Sequence, residues 1–508
     1  MQASSWRSFY TGVLGGTVIL AITLASRILL NSPFLPEVVA GKIFATVPGE
    51  VESFVVLVLG SYAKYLTVVG ISIVLAVLYG LYGILFTRFD RRFDGGGNIS
   101  KGLIYSLPPW LFHTVAVLSL DGVYASLNLA NMLLYLLLAH LAYGATLGAF
   151  SPKPPLEEAE VVKSESKGRA RRIFIRKVAP AAIGIAILIY GVDRFLLPLL
   201  GTSRFTEETL EVLYSKEVTP TEEFYRTDIA VIPPNVNVSE WRLTIGGQVE
   251  NPTELTYDQL KSLPSVQEFA TLECISNPVG GSLIGTALWE GVRLSTVLEE
   301  AKVKPGAKYV IFYSVDGYSV AIPLETALKE GTILAYNMNG EELNSIHGFP
   351  IRAVVPGIFG MMNAKWIRGI ELVAEEYLGY WQTRGWSNKA EIETTSVIKI
   401  PQAAARLSGF TPIAGIAFAG DREISKVEVS TDGGETWSQA MIKDPLSKHT
   451  WILWDTEWIP KEDGRHTIKV RATDKAGRVQ TSQLRGTYPD GATGYHVIDV
   501  VVESSSDE

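Results

Sequence analysis

The hydrophobic positions of this chain change rhythm near residue 200. Before it they run in long unbroken stretches; after it they alternate with polar residues in short segments. A helix needs about 20 apolar residues to cross the hydrocarbon core of a bilayer. Five stretches meet that need: 11–30, 65–86, 102–120, 128–150 and 178–200. The second extends back toward Phe54 if Lys64 is allowed to interrupt it. The first is too long, and too closely followed by others, to be a cleaved signal peptide. Residues 1–200 therefore predict a transmembrane region of about five helices, and 201–223 a polar linker.

Basic residues orient these spans, because lysine and arginine resist transfer out of the cytoplasm. The loop 87–101 carries Arg88, Arg91, Arg92 and Lys101, and the loop 151–177 carries eight basic residues, Lys153 to Lys177. The connections 31–53 and 121–127 hold only Lys42. Both basic loops are expected inside, and an odd number of spans places everything after residue 200 outside. The chain reads as a multi-pass protein of the cell membrane with its soluble part on the extracytoplasmic side. The run Arg171-Arg172-Ile173-Phe174-Ile175-Arg176 is similar to a twin-arginine export signal, the route for a chain that is folded before it crosses. Inside the spans, His113 and His140 lie 12 and 15 residues from the connection near 125, so antiparallel neighbours bring them to similar depth. Two readings stand: a haem pair, or hydrogen-bonded structural histidines.

From residue 224 the pattern is that of a mixed α+β domain, expected over 224–391. Trp241 to Gly247 alternates and ends in a turn signal, 257–263 suggests a short helix, and 269–275 a strand that delivers Cys274 at its end. Ser276-Asn277-Pro278-Val279-Gly280-Gly281 forms a loop, 292–301 a helix, and 309–315 and 318–322 two strands about the Asp316-Gly317 turn. Over 392–503 short strands alternate with turns, at 413–419, 424–430, 451–455 and 466–472, with Thr431-Asp432-Gly433-Gly434 as one turn. That spacing predicts an immunoglobulin-like β-sandwich of about 100 residues. Residues 504–508 are expected to be a tail.

The formal net charge of −8 and the lack of a basic stripe argue against a nucleic-acid partner. One cysteine excludes an intrachain disulfide. A lone thiol is ordinarily a core residue, but Cys274 stands between a strand and a Gly-rich loop, where a soft metal ligand is reachable. Three further clusters carry chemistry: Phe224-Tyr225-Arg226-Thr227-Asp228, His347-Gly348-Phe349-Pro350-Ile351-Arg352 and Asn363-Ala364-Lys365-Trp366. Three basic groups and a histidine suit a phosphate-bearing ligand.

The run Thr271-Leu272-Glu273-Cys274-Ile275-Ser276-Asn277 with Gly280-Gly281 resembles the cysteine loop of sulfite oxidase-type molybdopterin proteins. Ala335 to Gly340, then His347 to Gly357, then Lys365-Trp366 are similar to that family's longest signature, in order and spacing over roughly 220–500. The membrane part resembles that of prokaryotic members. The resemblance implies an enzyme with a molybdenum–molybdopterin cofactor. Cys274 would be the protein ligand to the metal. Phe224, Tyr225, Arg226, Asn277, Asp316, His347, Arg352, Asn363 and Lys365 would line the pterin or its phosphate. Tyr318 would be the active-site tyrosine, and Arg226 would also help bind an anionic substrate. The sandwich would be a dimerisation domain, making a homodimer. A second arginine that sulfite oxidases carry shortly after the loop asparagine is replaced by Pro278-Val279-Gly280-Gly281, which puts sulfite in doubt as the substrate. The reaction is left open between oxidation of a small sulfur oxyanion and reduction of a sulfoxide or N-oxide, with a quinone or cytochrome as electron partner. Two other readings remain: a membrane electron conduit with its own haem, and a non-catalytic extracellular binding module.

Overall fold

Helices that are apolar on every face have no polar side to present to water, and the N-terminal helices are of this kind. The structure is a computed structural model that describes residues 2–30, 32–47, 51, 55, 62–90, 98–120, 129–150, 209–230 and 232–503. It divides into two compact units, Met1–Pro36 with Val69–Glu207, and Glu37–Val68 with Glu208–Glu508.

Among the described residues three helices are long and apolar enough to cross a membrane: Trp6–Leu29, Ala63–Phe86 and Met132–Phe150. They lie within α1 (Gln2–Leu30), α3 (Tyr62–Asp90) and α6 (Leu129–Phe150), and the connection expected after α1 holds a further helix, α2 (Leu35–Thr46). The expected span 102–120 is instead two pieces, α4 (Asn98–Tyr105) and α5 (Leu107–Leu120). Pro108 and Pro109 cause the break, since neither donates a backbone hydrogen bond; Ser106 N still reaches Gly102 O at 3.1 Å and Trp110 N reaches Ser106 O at 3.2 Å. In the first unit α4 and α6 approach backbone to backbone, and a Cβ added at Gly102 would lie 2.1 Å from Gly144 O, the close approach small residues permit in membrane helices. The expected fifth span 178–200, the basic loop 151–177 with its twin-arginine run, and the tail 504–508 lie outside the described residues.

In the second unit residues 243–373 form two sheets with short helices between their strands, an α+β arrangement. One contains β1 (Leu243–Gly247), β2 (Thr253–Leu255), β5 (Tyr309–Ser314), β6 (Ser319–Pro323) and β10 (Ile367–Val373) in the order β2-β1-β10-β5-β6. The other contains β3 (Ser265–Glu273), β4 (Ile284–Arg293), β7 (Ile333–Met338) and β8 (Glu341–Glu342) in that order, with β9 (Arg352–Val354) beside β7. Strand β4 carries no alternating signal because nearly all of it is covered on both faces. The helix expected from Val292 begins two residues later, at Leu294, because Val292 and Arg293 are the last residues of β4.

Residues 395–502 form two further sheets. Strands β11 (Thr395–Ile400), β13 (Thr411–Phe418), β17 (Ile452–Trp458) and β16 (Met441–Ile442) make one in that order. Strands β12 (Arg406–Leu407), β19 (His496–Val502), β18 (Gly464–Asp474), β14 (Ile424–Ser430) and β15 (Ser438–Gln439) make the other. Residues of both sheets, among them Ile413, Trp454, Val427, Val470 and Val500, share one buried core, so the domain is a two-layer sandwich.

Candidate active site

The ladder between β3 and β4 sets the position of Cys274. Pairing runs from Ser265↔Val292 to Glu273↔Ile284, and Cys274 follows directly, its N–H donating to Leu283 O at 2.9 Å. The loop between them is tied at its base by Asn277. Its Nδ2 donates to Glu273 Oε1 at 2.9 Å, and its Oδ1 accepts from Leu283 N at 2.9 Å. The thiol is buried, 3.0 Å from Ser276 Oγ.

Cys274 lies on the wall of a cavity of about 530 Å³ within the second unit. Phe224, Tyr225, Arg226, Asp316, Tyr318, His347, Arg352, Asn363 and Lys365 line the same cavity. Asn277 does not. The resemblance placed it at the pterin; its amide braces the cysteine loop.

Arg352 is delivered by β9, whose pairing places it opposite Ala335 of β7. Its guanidinium is buried, stacks 4.8 Å from the Trp289 ring and donates from Nη1 to His347 O at 3.2 Å. Its Nε has no hydrogen-bond partner among the described residues. Burial pulls this guanidinium down to about 10. His347 donates from Nε2 to Thr221 O at 2.9 Å, and burial, with the Arg352 charge, pushes its pKa down to about 4, so it is neutral at physiological pH. Gly348 lets the two approach: its φ is +116°, and a Cβ there would meet Cβ of both Arg352 and Lys365 at 3.1 Å. Asn363 accepts from Val355 N at 2.6 Å and donates to Phe359 O at 3.2 Å.

Asp228 carries a role that its place in the Phe224–Asp228 run did not reveal. Its side chain is 2% exposed and pairs with Arg226, at 2.5 Å from Nε, and with Lys365. Burial, then the charges of Arg226 and Lys64, push the Lys365 ammonium well below the usual lysine range; the Asp228 carboxylate in contact with it opposes that push. Tyr318 donates from its hydroxyl to Met361 O at 2.5 Å, and its N–H is held by Asp316 Oδ1 at 3.0 Å. Trp381, Trp386, Lys64 and Tyr65 also line the cavity. The tryptophans gave no pattern beyond ordinary aromatic content, and Lys64 looked only like an interruption in an apolar run.

A cluster of three or more His, Cys, Asp or Glu side chains that would hold a bare metal ion is absent among the described residues. A metal at Cys274 would have to bring its other ligands with it. The thiol at the cavity wall, the cationic side chains and the unpartnered Arg352 Nε fit an anionic cofactor that carries a soft metal. In the first unit, the His113 and His140 rings lie 5.2 Å apart. Both nitrogens of His140 are occupied, Nε2 with the Tyr79 hydroxyl at 3.0 Å and Nδ1 with Leu136 O at 2.8 Å.

Comparison with known proteins gives the following. Residues 230–381 match the family described as oxidoreductase molybdopterin binding domain, and residues 387–488 the one described as Mo-co oxidoreductase dimerisation domain. The sulfite oxidase of Arabidopsis thaliana is 30% identical over 345 residues, which cover 56% of this chain and 87% of that protein. The mitochondrial sulfite oxidase of Drosophila melanogaster is 31% identical over 357 residues, covering 58% of this chain but 61% of the relative. Among solved structures, the sulfane dehydrogenase SoxCD from Paracoccus pantotrophus is similar at 25% identity and a TM-score of 0.48, over 53% of this chain and 77% of that one.

Proposed function

The chain belongs to the sulfite oxidase-type family of molybdopterin-dependent oxidoreductases, and on that premise we propose that it is a membrane-anchored enzyme that transfers an oxygen atom between water and a small sulfur-containing substrate at the Cys274 cavity. The observation that carries this reading is the buried Cys274 thiol opening on a cavity that it shares with the partly unpartnered Arg352 guanidinium.

Cys274 would hold the metal as a thiolate. Burial pushes its thiol above the usual range, with hydrogen bonds from Ser276 and Thr227 opposing, so a bound cation is needed to keep it ionised. Arg352, Lys365 and neutral His347 would hold the pterin and its phosphate, with Phe224, Tyr225, Asp316 and Asn363 shaping the walls. When bound, the molybdenum cofactor supplies a two-electron redox centre suited to oxygen-atom transfer. Arg226, fixed by Asp228, would bind the anionic end of the substrate. Tyr318, kept protonated by burial, would present a hydroxyl donor to a substrate oxygen, and Trp381 and Trp386 would limit water in the cavity.

The finer parts of this reading have separate support. The strand orders β11-β13-β17-β16 and β12-β19-β18-β14-β15 favour an immunoglobulin-like sandwich, and the dimerisation-domain match favours a homodimer. The basic loops favour a catalytic domain outside the cytoplasm. The experiment is metal analysis with a substrate screen of sulfite against methionine sulfoxide. The wild type should hold about one molybdenum per chain, and Cys274→Ser should abolish turnover of either substrate. Turnover that survives Cys274→Ser would remove the reading.

A further inference from the structure

Strand β3, which delivers Cys274, stands at the end of its sheet: among the described residues β4 pairs with one side of it and no strand with the other. The free side of such a strand leaves alternate N–H and C=O groups to be met from elsewhere. Here the sandwich meets them, within the same compact unit. Ser447 Oγ donates to Phe269 O at 2.6 Å, Thr271 N donates to His449 O at 2.9 Å, and Trp451 N donates to Thr271 Oγ1 at 2.8 Å. Residues 447 and 449 thus step in twos beside 269 and 271, the spacing of one extended segment laid along another. His449 adds a side-chain tie, donating from Nδ1 to Glu268 Oε1 at 2.8 Å.

Trp451 carries the hold to the second strand of the hairpin. Its indole Nε1 donates to Glu217 O at 3.0 Å, and the Glu217 carboxylate pairs with Lys443 of the sandwich. Two residues on, Thr219 is bonded to β4 in both directions: Thr219 N donates to Thr286 O at 2.8 Å, and Thr286 N donates to Thr219 Oγ1 at 3.1 Å. Thr286 stands opposite Thr271 in the β3–β4 ladder, and their two hydroxyls are hydrogen-bonded. Trp451, Thr271, Thr286, Thr219 and Glu217 therefore close a ring around the hairpin. Trp451, Thr271, Thr286 and Glu217 are buried, and none of the five lines the cavity. A hydrogen bond broken in such a place is not replaced by water. Cys274 lies three residues beyond Thr271, and a metal ligand has to be held to within about 0.5 Å by the groups behind it.

We propose that the sandwich positions the metal ligand: through Trp451 and the segment 447–449 it fixes the β3–β4 hairpin, and with it the place of the Cys274 thiol in the cavity wall. Thr271, Ser447 and Trp451 are positioning residues that act through Cys274. The region that matches a dimerisation domain thus has a second task within its own chain. That task rests on the proposed function, which makes Cys274 the metal ligand.

The test uses the full chain in detergent and has two readouts. The chain has one cysteine, so the rate at which a maleimide labels the cofactor-free chain reports on Cys274 alone. In the molybdenum-loaded chain, metal retained per chain over time reports on the same ligand. Thr271→Val keeps the shape and removes the acceptor for Trp451 N; loss of a buried hydrogen bond predicts labelling about tenfold faster, with molybdenum released correspondingly sooner. Ser447→Ala should speed labelling about threefold to tenfold. Thr271→Ser, which keeps the hydroxyl, should stay near the wild type in both. Val427→Ala, in the sandwich core and outside the ring, is the control: it should lower the melting temperature yet leave labelling, measured well below that temperature, near the wild-type rate. If Thr271→Val cannot be recovered folded, Ser447→Ala carries the same expectation. The positioning role is overturned by wild-type labelling in Thr271→Val, by an equal rise in Val427→Ala, or by a loaded Thr271→Val chain that keeps its molybdenum as long as the wild type. A wild type that holds no molybdenum, made in a cell that supplies the cofactor, overturns the functional reading, and the positioning role with it, whatever the labelling shows.

Discussion

Arg226 donates from Nε to the Asp228 carboxylate at 2.5 Å, and the same carboxylate holds Lys365. Two cationic side chains from opposite ends of the domain sequence therefore share one buried carboxylate. Removing that anion leaves two partly buried like charges without their shared partner, and breaking a buried pair typically costs about 3–5 kcal/mol. Asp228→Asn should lower the unfolding free energy of the cofactor-free chain by about 3 kcal/mol at neutral pH. Lys365 is already pressed toward its neutral form, so the deficit should shrink as the pH rises and that ammonium discharges. Denaturant unfolding at several pH values measures it. A deficit that is constant with pH would mean that Lys365 does not share in the cost.

Gly348 offers a second test, on shape rather than charge. Its φ of +116° is costly for any residue with a side chain, and the new Cβ would press on both Arg352 and Lys365. Gly348→Ala should cost about 1–3 kcal/mol and reduce the molybdenum retained per chain, because the two cations move apart. Metal content measured beside the melting temperature separates the two effects. A destabilised variant with full metal content would show that Arg352 and Lys365 are not what holds the cofactor.

The sequence made some of this legible and hid the rest for physical reasons. Cys274, His347, Arg352, Asn363 and Lys365 stand in contiguous runs with turn residues between them; local pattern marked the runs as candidates, the family resemblance gave the residues their roles, and all line one cavity. The Asp228 partnership was hidden because a salt bridge between residues 228 and 365 leaves no local periodicity. Lys64 was hidden more deeply, since a lysine beside an apolar run reads as the flank of a membrane helix. Asn277 was given a place at the pterin by the family resemblance; its hydrogen bonds run to Glu273 and Leu283 within the cysteine loop. In the fold, hydropathy marked the three helices that are long and apolar enough to cross a membrane among the five stretches expected, and the break at Ser106 was readable in Pro108-Pro109. Strand β4 lacked alternation because both of its faces are covered.

His347 ties stability to pH. Its folded pKa is pushed down to about 4 from the usual 6.5, first by burial and then by Arg352. Between those values the unfolded chain binds a proton that the folded chain refuses. Stability from this group is therefore complete above pH 6.5 and falls as the pH drops toward 4, by about 1.4 kcal/mol per pH unit where the difference is a full proton. His347→Gln keeps a donor for Thr221 O and cannot titrate. It should flatten that part of the acid limb in urea unfolding of the cofactor-free chain. An acid limb identical to the wild type would assign the loss to other groups.

Tyr318 separates structure from chemistry. Its hydroxyl donates to the Met361 carbonyl at 2.5 Å, and its ring lies 5.9 Å from that of Tyr380. Burial raises its pKa well above the usual tyrosine range, so the hydroxyl stays a donor throughout the working pH range. If its role is only to satisfy Met361, Tyr318→Phe should cost about 1 kcal/mol of stability and leave kcat unchanged. If the hydroxyl turns to a substrate oxygen during turnover, the loss appears in the rate: kcat/KM should fall about tenfold to a hundredfold, while stability drops by no more than about 1 kcal/mol. The second outcome is expected, because the hydroxyl shares the cavity with the Cys274 thiol and the Arg226 guanidinium. The rate should also show no ionisation limb from this tyrosine on the alkaline side. Steady-state kinetics and thermal unfolding on the same preparations decide between the two, and a variant that loses stability but keeps its rate would return Tyr318 to the scaffold.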